Sequence, residues 1–388
     1  MARLGDICEI LNGYAFKSEK YISSGIRVIR IANVQKGYNE DTAPAFYPID
    51  TPNIEKYTLY EDDLLISLTG NVGRVALLDK EFLPAALNQR VACLRLKEGV
   101  PYNKSFLYCF LNSDYFENKC IQSAKGVAQK NMSTEWLKDY EIPDLSLEEQ
   151  REIATALNKV SELITARTQQ LSTFDNIVKS RFIELFGNET ISQSWPKTNI
   201  GSVALDARTG PFGSALHHDE FVDEGVFVLG IDNAVENRFS YNKMRYITEE
   251  KYQQLKRYTV KSGDVIITIM GTVGRSAVIP EDMPKAINTK HLACITPDQS
   301  QVDPYFLTCL FQMHPDIRLQ LQNQCKGAIM DGLNLTIIKA LKFSLPPLSL
   351  QKQFVSFFKQ TDKLKFEVKE ALEKLEILKK SLMQQYFG

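Results

Sequence analysis

Two kinds of hydrophobic pattern alternate along this chain, and each of them occurs twice. Short runs of β-branched and aliphatic residues, broken by Gly, Asn and Pro, occupy residues 26–96 and 226–297. Such runs are typical of strands and predict a mixed sheet in each region. Helical periodicity follows at 104–122 and 304–323, so we expect helices packed on each sheet and an α+β fold.

A longer helical pattern begins after Pro143 and again after Pro346. Ser146 and Ser349 each offer an N-cap, and no Gly or Pro interrupts either stretch before its terminal Phe-Gly. Apolar residues recur along both stretches at heptad spacing, as they do in a coiled coil. The predicted coiled-coil seam consists of Leu157, Val160, Ile164, Leu171, Phe174, Val178, Phe357, Leu364, Val368, Leu375, Leu378 and Leu382.

These helices are too long to bury their apolar stripes against one small domain each. At ~1.5 Å per residue, about 40 residues form a rod of roughly 60 Å. We therefore expect the two helices to pair with each other in antiparallel orientation, with one globular domain at each end. The alternative is two separate helices that pack on separate domains, and the shared heptad phase and length favour pairing.

The chain reads as a tandem duplication. TGNVGR at 69–74 recurs as MGTVGR at 270–275, and ALNQR at 86–90 recurs as AINTK at 286–290. A repeat about half the chain long is not a solenoid repeat, and it predicts two similar domains related by a pseudo-two-fold axis. The predicted organisation is a first domain, a central helix, a linker, a second domain and a C-terminal helix, at 1–145, 146–188, 189–196, 197–344 and 345–388.

Composition narrows the class of protein. The chain has 46 basic and 47 acidic residues, so a nucleic-acid-binding protein with this sequence would need its positive charge segregated onto one face. No run of eighteen apolar residues and no hydrophobic signal core occur, and we expect a cytoplasmic protein. The seven cysteines show no CxxC spacing, which argues against a disulfide framework or a zinc cluster.

The sequence lacks the motifs that an enzyme would need. It contains no P-loop, no nucleophile elbow and no complete dinucleotide fingerprint, and its four histidines lack the spacing of a metal site. We therefore expect a chain without catalytic activity, cofactor or metal of its own. The glycine segments at 69–74 and 270–275 predict tight turns, which either bring a backbone close to another group or serve only as structural hairpins.

Polar and basic residues recur at corresponding turn-rich places in the two copies. Asn, Gln and Arg can bridge base edges, and Lys can contact phosphates, although each such residue alone is more often a turn cap or a surface residue. The candidate DNA contacts are Asn12, Tyr14, Lys17, Ser18, Asn71, Arg74, Asn88, Gln89, Arg90, Lys125, Lys130, Arg208, Thr209, Ser214, Thr272, Arg275, Asn288, Thr289, Lys290, Lys326 and Asn334.

The whole chain resembles the specificity subunit of type I restriction-modification systems. The resemblance is carried by the TGNVGR…LNQR and MGTVGR…INTK segments, by the helix entries IPDLSLEEQ and LPPLSLQKQ, and by the helices ending in Phe-Gly. The usual helix-entry pattern ends in Glu-Gln, which is Glu149-Gln150 in the first copy. Aligning the LSL letters at an offset of 203 places Lys352-Gln353 there in the second copy, a departure that affects the expected contacts with partner subunits.

The resemblance implies that each domain reads one half of a bipartite, asymmetric site in double-stranded DNA, while the paired helices set the unread spacer. It also implies two methyltransferase (modification) subunits, which bind around the helices and methylate adenine with S-adenosylmethionine. Two restriction subunits would add ATP- and Mg-dependent translocation and cleavage, so all cofactors would lie on partner subunits. The alternative is a protein–protein scaffold that assembles without reading a DNA sequence.

Overall fold

The computed structural model describes residues 1–124, 131–187, 194–212, 215–325 and 333–388. The chain divides into two compact units: one contains Met1–Thr168 with Glu370–Gly388, and the other contains Gln169–Lys369. Each unit therefore holds one copy of the duplicated domain and one end of each long helix. The α+β class expected from the sequence is confirmed.

The first copy contains two four-stranded sheets rather than the single mixed sheet that the sequence predicts. Strands β2-β9-β6-β7 form an antiparallel sheet, and β4-β3-β8-β5 form a mixed sheet in which β3 and β8 run parallel, while β1 pairs with β10. The strands are β1 (Ala2–Arg3), β2 (Cys8–Asn12), β3 (Ile26–Ile29), β4 (Phe46–Tyr47), β5 (Thr58–Leu59), β6 (Leu64–Ser67), β7 (Val75–Leu77), β8 (Ala85–Leu87), β9 (Val91–Leu96) and β10 (Glu141–Ile142).

The second copy repeats this topology strand for strand. Strands β12-β19-β16-β17 form the antiparallel sheet, β14-β13-β18-β15 form the mixed sheet with β13 and β18 parallel, and β11 pairs with β20. The strands are β11 (Lys197–Asn199), β12 (Ala204–Thr209), β13 (Val226–Leu229), β14 (Tyr246–Ile247), β15 (Thr259–Val260), β16 (Val265–Thr268), β17 (Ser276–Val278), β18 (Ala286–Asn288), β19 (Leu292–Pro297) and β20 (Lys342–Ser344).

The regions predicted as single helices at 104–122 and 304–323 are each divided into two helices. The first region is divided at Ser113. The Oγ of Ser113 accepts the amide hydrogen of Phe116 at 3.1 Å and caps the start of a new helix. Pro315 divides the other region, since proline has no amide hydrogen for the preceding turn. The α-helices are α1 (Leu4–Ile7), α2 (Lys104–Leu111), α3 (Asp114–Ser123), α4 (Thr134–Asp139), α5 (Leu147–Phe186), α6 (Glu249–Leu255), α7 (Pro304–Met313), α8 (Pro315–Cys325), α9 (Leu335–Ala340) and α10 (Leu348–Phe387).

The antiparallel sheet of each copy is buried on both faces. In β6, Leu64 and Ile66 belong to a cluster that includes the helices, whereas Leu65 lies in a second cluster with residues of the mixed sheet. Successive side chains of a strand point to opposite faces, so an uninterrupted apolar run such as LLI fits a sheet covered on both sides. Val265 and Ile266 of β16 alternate in the same way.

The long helices pair in antiparallel orientation within the second unit. The rings of Phe182 and Phe186 in α5 lie 5.3 and 5.6 Å from the ring of Phe354 in α10. Further along, Lys365 forms an ion pair with Asp175. Residue numbers rise along one helix as they fall along its neighbour, which is the pairing expected from the heptad pattern.

The buried stripe of the helix pair is narrower than the predicted seam. Leu157, Val160, Val178 and Val368 are buried, whereas Ile164, Leu171, Phe174, Phe357, Leu375 and Leu382 are half-buried. Leu364 and Leu378 are 47% and 45% exposed, so their assignment to the seam was wrong. One neighbouring helix covers only the row of side chains that faces it, and residues at the flanks of the heptad stripe stay open.

Each domain core also contains the end of a long helix. The ring of Phe387, at the end of α10, lies 5.7 Å from Phe106 and 5.4 Å from Phe110 in the first unit. In the second unit, Phe186 at the end of α5 lies 4.8 Å from Phe306. The phenylalanines of the duplicated Phe-Gly ends are therefore core residues, and these helix ends are packed into the domains.

We predict that Phe182→Ala lowers the stability of the second unit strongly. Phe182 is fully buried among three other phenylalanine rings, and truncating such a residue costs about 3–5 kcal/mol through lost packing and a residual cavity. Urea unfolding can be followed by the fluorescence of Trp195, which lies in this unit, in a Trp136→Phe background.

Ile177→Ala on the same helix is the matched control. Ile177 is exposed, so its truncation should change the free energy of unfolding by less than about 0.5 kcal/mol. Equal losses for the two variants would contradict the packing described for α5.

Candidate nucleic-acid interface

Separate segments of the first copy meet where β2 ends and β9 begins. The amide of Gln89 donates to the carbonyl of Tyr14 at 3.0 Å, and the amide of Leu68 donates to the carbonyl of Arg90 at 2.9 Å. The amide of Met132 in turn donates to the carbonyl of Leu68 at 2.8 Å. Four segments thus form one surface, here named the first loop surface: 12–18, 68–74, 88–90 and 131–132. The first three contain residues that the sequence singled out.

The second copy builds the equivalent surface and repeats two of these three backbone contacts. The amide of Ile269 donates to the carbonyl of His291 at 3.0 Å, and the amide of Leu333 donates to the carbonyl of Ile269 at 3.0 Å. Gly210 lies so close to the neighbouring segment that a Cβ would come within 2.2 Å of the Asn288 carbonyl oxygen. The second loop surface comprises 209–212, 269–275, 288–291 and 333–334.

The repeated glycine segments are hairpins that join β6 to β7 and β16 to β17. In the first, the Oγ of Ser67 accepts the amide hydrogen of Arg74 at 3.0 Å, and in the second Thr268 accepts that of Arg275 at 3.0 Å. Gly73 has a φ of 86°, in the left-handed region that favours glycine. A Cβ there would also lie 2.6 Å from the Cβ of Cys120, so the hairpin is packed directly against α3.

Most candidates of the first loop surface point polar groups toward solvent. Arg74 is half-buried and donates to the Oε1 of Gln35. Asn88 is buried, and its Oδ1 accepts the amide hydrogen of Arg90 at 3.1 Å, which gives Asn88 a role in shaping the loop. The exposed candidates are Asn12, Tyr14, Lys17, Ser18, Asn71, Gln89 and Arg90.

The second loop surface exposes a different set of side chains. Thr209 and Thr289 are half-buried, and the fully buried Asn288 donates to the carbonyl of Leu292 at 2.9 Å. Asn334 caps α9, because its Oδ1 accepts the amide hydrogen of Ile337 at 2.9 Å. Thr272, Arg275, Lys290 and Asn334 are exposed.

Arg208 is held inside the antiparallel sheet and is not displayed on the loop surface. Its guanidinium donates at 2.7 Å to Asp264, whose side chain is only 1% exposed, and at 2.7 Å to Asp206. Burial alone would lower the pKa of Arg208, and the neighbouring Cys294, Asp264 and Asp206 outweigh it, so the pKa is raised. We therefore assign Arg208 a structural role, which removes it from the strongest candidates for DNA contact.

The first copy contains an equivalent ion pair, but its arginine lies on a different strand. Arg95 on β9 donates at 2.7 Å to Asp63, the counterpart of Asp264, and its hydrogen bond to Asp63 raises the pKa of Arg95. Alignment of the two copies places Arg95 opposite Thr296, so the shared contact cannot be seen in the sequence. The buried aspartate is the constant element, and the arginine reaches it from either of two neighbouring strands.

His291 lies on the second loop surface and was not among the candidates chosen from the sequence. Burial lowers the pKa of His291, and the adjacent Lys290 and the nearby Arg245 lower it further. Its only signal in the sequence is its position directly after Lys290. Arg245 is paired with Asp232 at 2.6 Å, so the exposed Lys290 is the cation here that is suited to contact with phosphates.

The structure describes only part of the candidate set. Lys125, Lys130, Ser214 and Lys326 lie outside the described residues. Within the described ranges, no group of three or more His, Cys, Asp or Glu residues could hold a metal ion. None of the helices in those ranges has both the length and the apolar character needed to cross a bilayer.

Comparison with known proteins gives this architecture a family. The sequence matches the type I restriction modification DNA specificity domain over residues 1–173 and 220–378. The chain therefore belongs to the family of type I restriction-modification specificity proteins.

Individual relatives agree with this assignment along nearly the whole chain. The chain is 25% identical to the Type I restriction enzyme EcoBI specificity subunit of Escherichia coli, over 99% of this chain and 84% of that protein. It is 37% identical to the EcoAI specificity subunit of Escherichia coli, over 42% of this chain and 28% of that protein. A crystal structure of the S subunit from M. genitalium has the same fold, with a TM-score of 0.62, 16% identity and coverage of 100% of this chain and 95% of that one.

We predict that Arg208→Gln lowers protein stability. The substitution leaves Asp264 buried without its ionic partner, and breaking such a pair costs roughly 3 kcal/mol or more. Chemical denaturation measures the loss. Lys290→Gln, at an exposed position, is the matched control and should leave stability within about 0.5 kcal/mol of the parent.

We predict the opposite ranking for DNA binding, which Lys290→Gln should weaken more than Arg208→Gln does. Lys290→Gln should reduce the slope of log affinity against log salt by about one for each lost phosphate contact. A folded Arg208→Gln protein that lost that slope while keeping its stability would contradict the structural role of Arg208.

Proposed function

We propose that this chain is the non-catalytic DNA-reading subunit of a type I restriction-modification complex. Each loop surface would read one half of a bipartite, asymmetric site in double-stranded DNA. The observation that carries the proposal is the meeting of separate polar segments into one loop surface, repeated on the same frame in both copies.

The two loop surfaces favour different half-sites because the side chains at corresponding positions differ. Asn71 and Gln89 of the first surface are replaced by Thr272 and Thr289 in the second. Asn and Gln can make paired hydrogen bonds to adenine, whereas threonine offers one hydroxyl and a methyl group. An asymmetric site is the expected consequence of this difference.

Partner subunits would supply both the chemistry and much of the DNA affinity. Phosphate contacts dominate affinity, so a nearly neutral reader needs partners that bring positive charge. Two methyltransferase subunits would bind around the long helices, which expose Phe366 and Ile377 at 51% and 70%. S-adenosylmethionine would be bound by these subunits, and ATP and Mg by two restriction subunits.

We predict that Gln89→Thr changes the bases preferred in one half-site and leaves the other half-site unchanged. Gln89 is exposed on the first loop surface, and a lost base contact typically reduces discrimination by a factor of about 5 to 150. The measurement is adenine methylation of a randomised DNA library by the chain assembled with its modification subunits.

Two variants serve as controls for that experiment. The reciprocal change Thr289→Gln should alter only the other half-site. Glu98→Gln lies beyond the opposite end of β9 from the loop surface and should alter neither. Full assembly with no sequence preference in the parent complex would favour the protein–protein scaffold instead.

We further predict that the paired helices set the spacer. Seven residues inserted after Leu171 in α5, together with seven after Lys369 in α10, keep the facing rows aligned and lengthen each helix by ~10 Å. Methylated sites should then carry a spacer about three base pairs longer, at ~3.4 Å per base pair. An unchanged spacer in a complex that still methylates DNA would reject this role of the helices.

A further inference from the structure

A buried glutamine joins the start of α5 to the first domain. Gln150 lies in the first turns of the helix, and its side chain is completely buried. Its Oε1 accepts the amide hydrogen of Asn103 at 2.8 Å, while its Nε2 donates to the carbonyls of Pro101 at 3.1 Å and Leu145 at 2.8 Å. One side chain thus connects the helix, the segment that enters it, and the domain loop that starts α2.

The second copy contains the same junction at the start of α10. Gln351 is also completely buried, and its Oε1 accepts the amide hydrogen of Asp303 at 2.9 Å. Its Nε2 donates to the carbonyls of Gln301 at 3.0 Å and Pro346 at 2.8 Å. The three partners occupy corresponding places in the two copies, so the junction was duplicated together with the domain.

This correspondence corrects the sequence alignment of the helix entries. Matching the LSL letters pairs Gln150 with Gln353, but Gln353 is exposed and the three contacts belong to Gln351. The structural offset is therefore 201 and not 203, the same offset that relates Phe186 to Phe387 at the helix ends. The second copy therefore retains the buried glutamine, and the residue that replaces Glu149 is Leu350 rather than Lys352.

The chemistry of the junction requires an uncharged amide of this length. The site presents one N–H donor and two carbonyl acceptors, which an amide satisfies with its oxygen and both hydrogens. Glutamate lacks the two donors, and methionine lacks both functions. The backbone amide and the two carbonyls of the junction are buried away from water. After either substitution, water cannot replace the hydrogen bonds that they lose.

Since these hydrogen bonds point in three directions, the junction fixes the direction of the helix as well as its attachment. We propose that Gln150 and Gln351 are positioning residues, which hold each long helix at a set angle to its loop surface and so contribute to spacer selection. This inference rests on the proposed function of the helices in setting the spacer. Half-sites on one DNA face tolerate little rotation of their readers, because a single base pair turns the groove by about 35°.

The test uses the full chain assembled with its modification subunits. Variants Gln150→Met and Gln351→Met are compared with the parent on DNA duplexes that carry the mapped site with its native spacer or a spacer one base pair longer or shorter. We expect the preference for the native spacer to fall by about fivefold, the equilibrium factor of one net hydrogen bond. The preferred bases in each half-site should stay the same.

Gln353→Met is the matched control for Gln351→Met. It makes the same substitution two residues further along α10, at an exposed position. It should leave spacer preference unchanged. If Gln150→Met does not fold, Gln150→Asn keeps a neutral amide that is one methylene too short to reach all three partners. Folded variants that keep the full preference for the native spacer would overturn the proposal.

Hydrogen exchange separates the junction from the wider function. The amides of Asn103 and Asp303 should exchange faster in the corresponding methionine variants and not in Gln353→Met, whereas unchanged exchange would overturn the junction itself. If the parent complex showed no spacer preference at all, the proposed function of the helices would fail, and these exchange rates would still decide whether the glutamines fasten the helices.

Discussion

The structure depends on how firmly each domain holds two helix ends. One helix begins at the domain, where its glutamine is tied by buried hydrogen bonds, and the other helix ends there, with its terminal phenylalanine in the core. In the first unit these are Gln150 and Phe387, and in the second unit they are Gln351 and Phe186. Hydrogen bonds specify direction and ring packing supplies burial, so the two contacts complement each other.

This anchoring gives the loop surfaces a stable frame. The hairpin at 69–74 lies against α3, and the ends of β2 and β9 bring the other segments beside it. Side chains on such a frame can vary without disturbing the fold, because backbone hydrogen bonds hold the segments together. The same frame therefore carries Asn71 and Gln89 in one copy and Thr272 and Thr289 in the other, which is the physical basis of the two different readers that we propose.

Much of this organisation could be predicted from the sequence because it depends on local or repeated patterns. Heptad spacing predicted the two long helices and their pairing, and the repeat predicted two copies of one domain. Contacts between distant residues could not be predicted in this way. Arg208 was chosen as a candidate DNA contact because the aspartate that it pairs with is 56 residues away in the sequence. Leu364 was placed in the seam because heptad spacing does not reveal which flank of the stripe a neighbouring helix covers. The correspondence of Gln351 with Gln150 was missed because the LSL letters of the two helix entries match two residues out of register.

The central claim is that one chain holds two dissimilar DNA readers at a set spacing, and hydroxyl-radical footprinting tests it most directly. The complex of this chain with its modification subunits would be bound to a duplex that carries its methylated site. Our account predicts two short protected segments on one face of the duplex, separated by a spacer of constant length whose sequence can be changed freely. A single protected segment, or two segments whose separation varies from site to site, would contradict it.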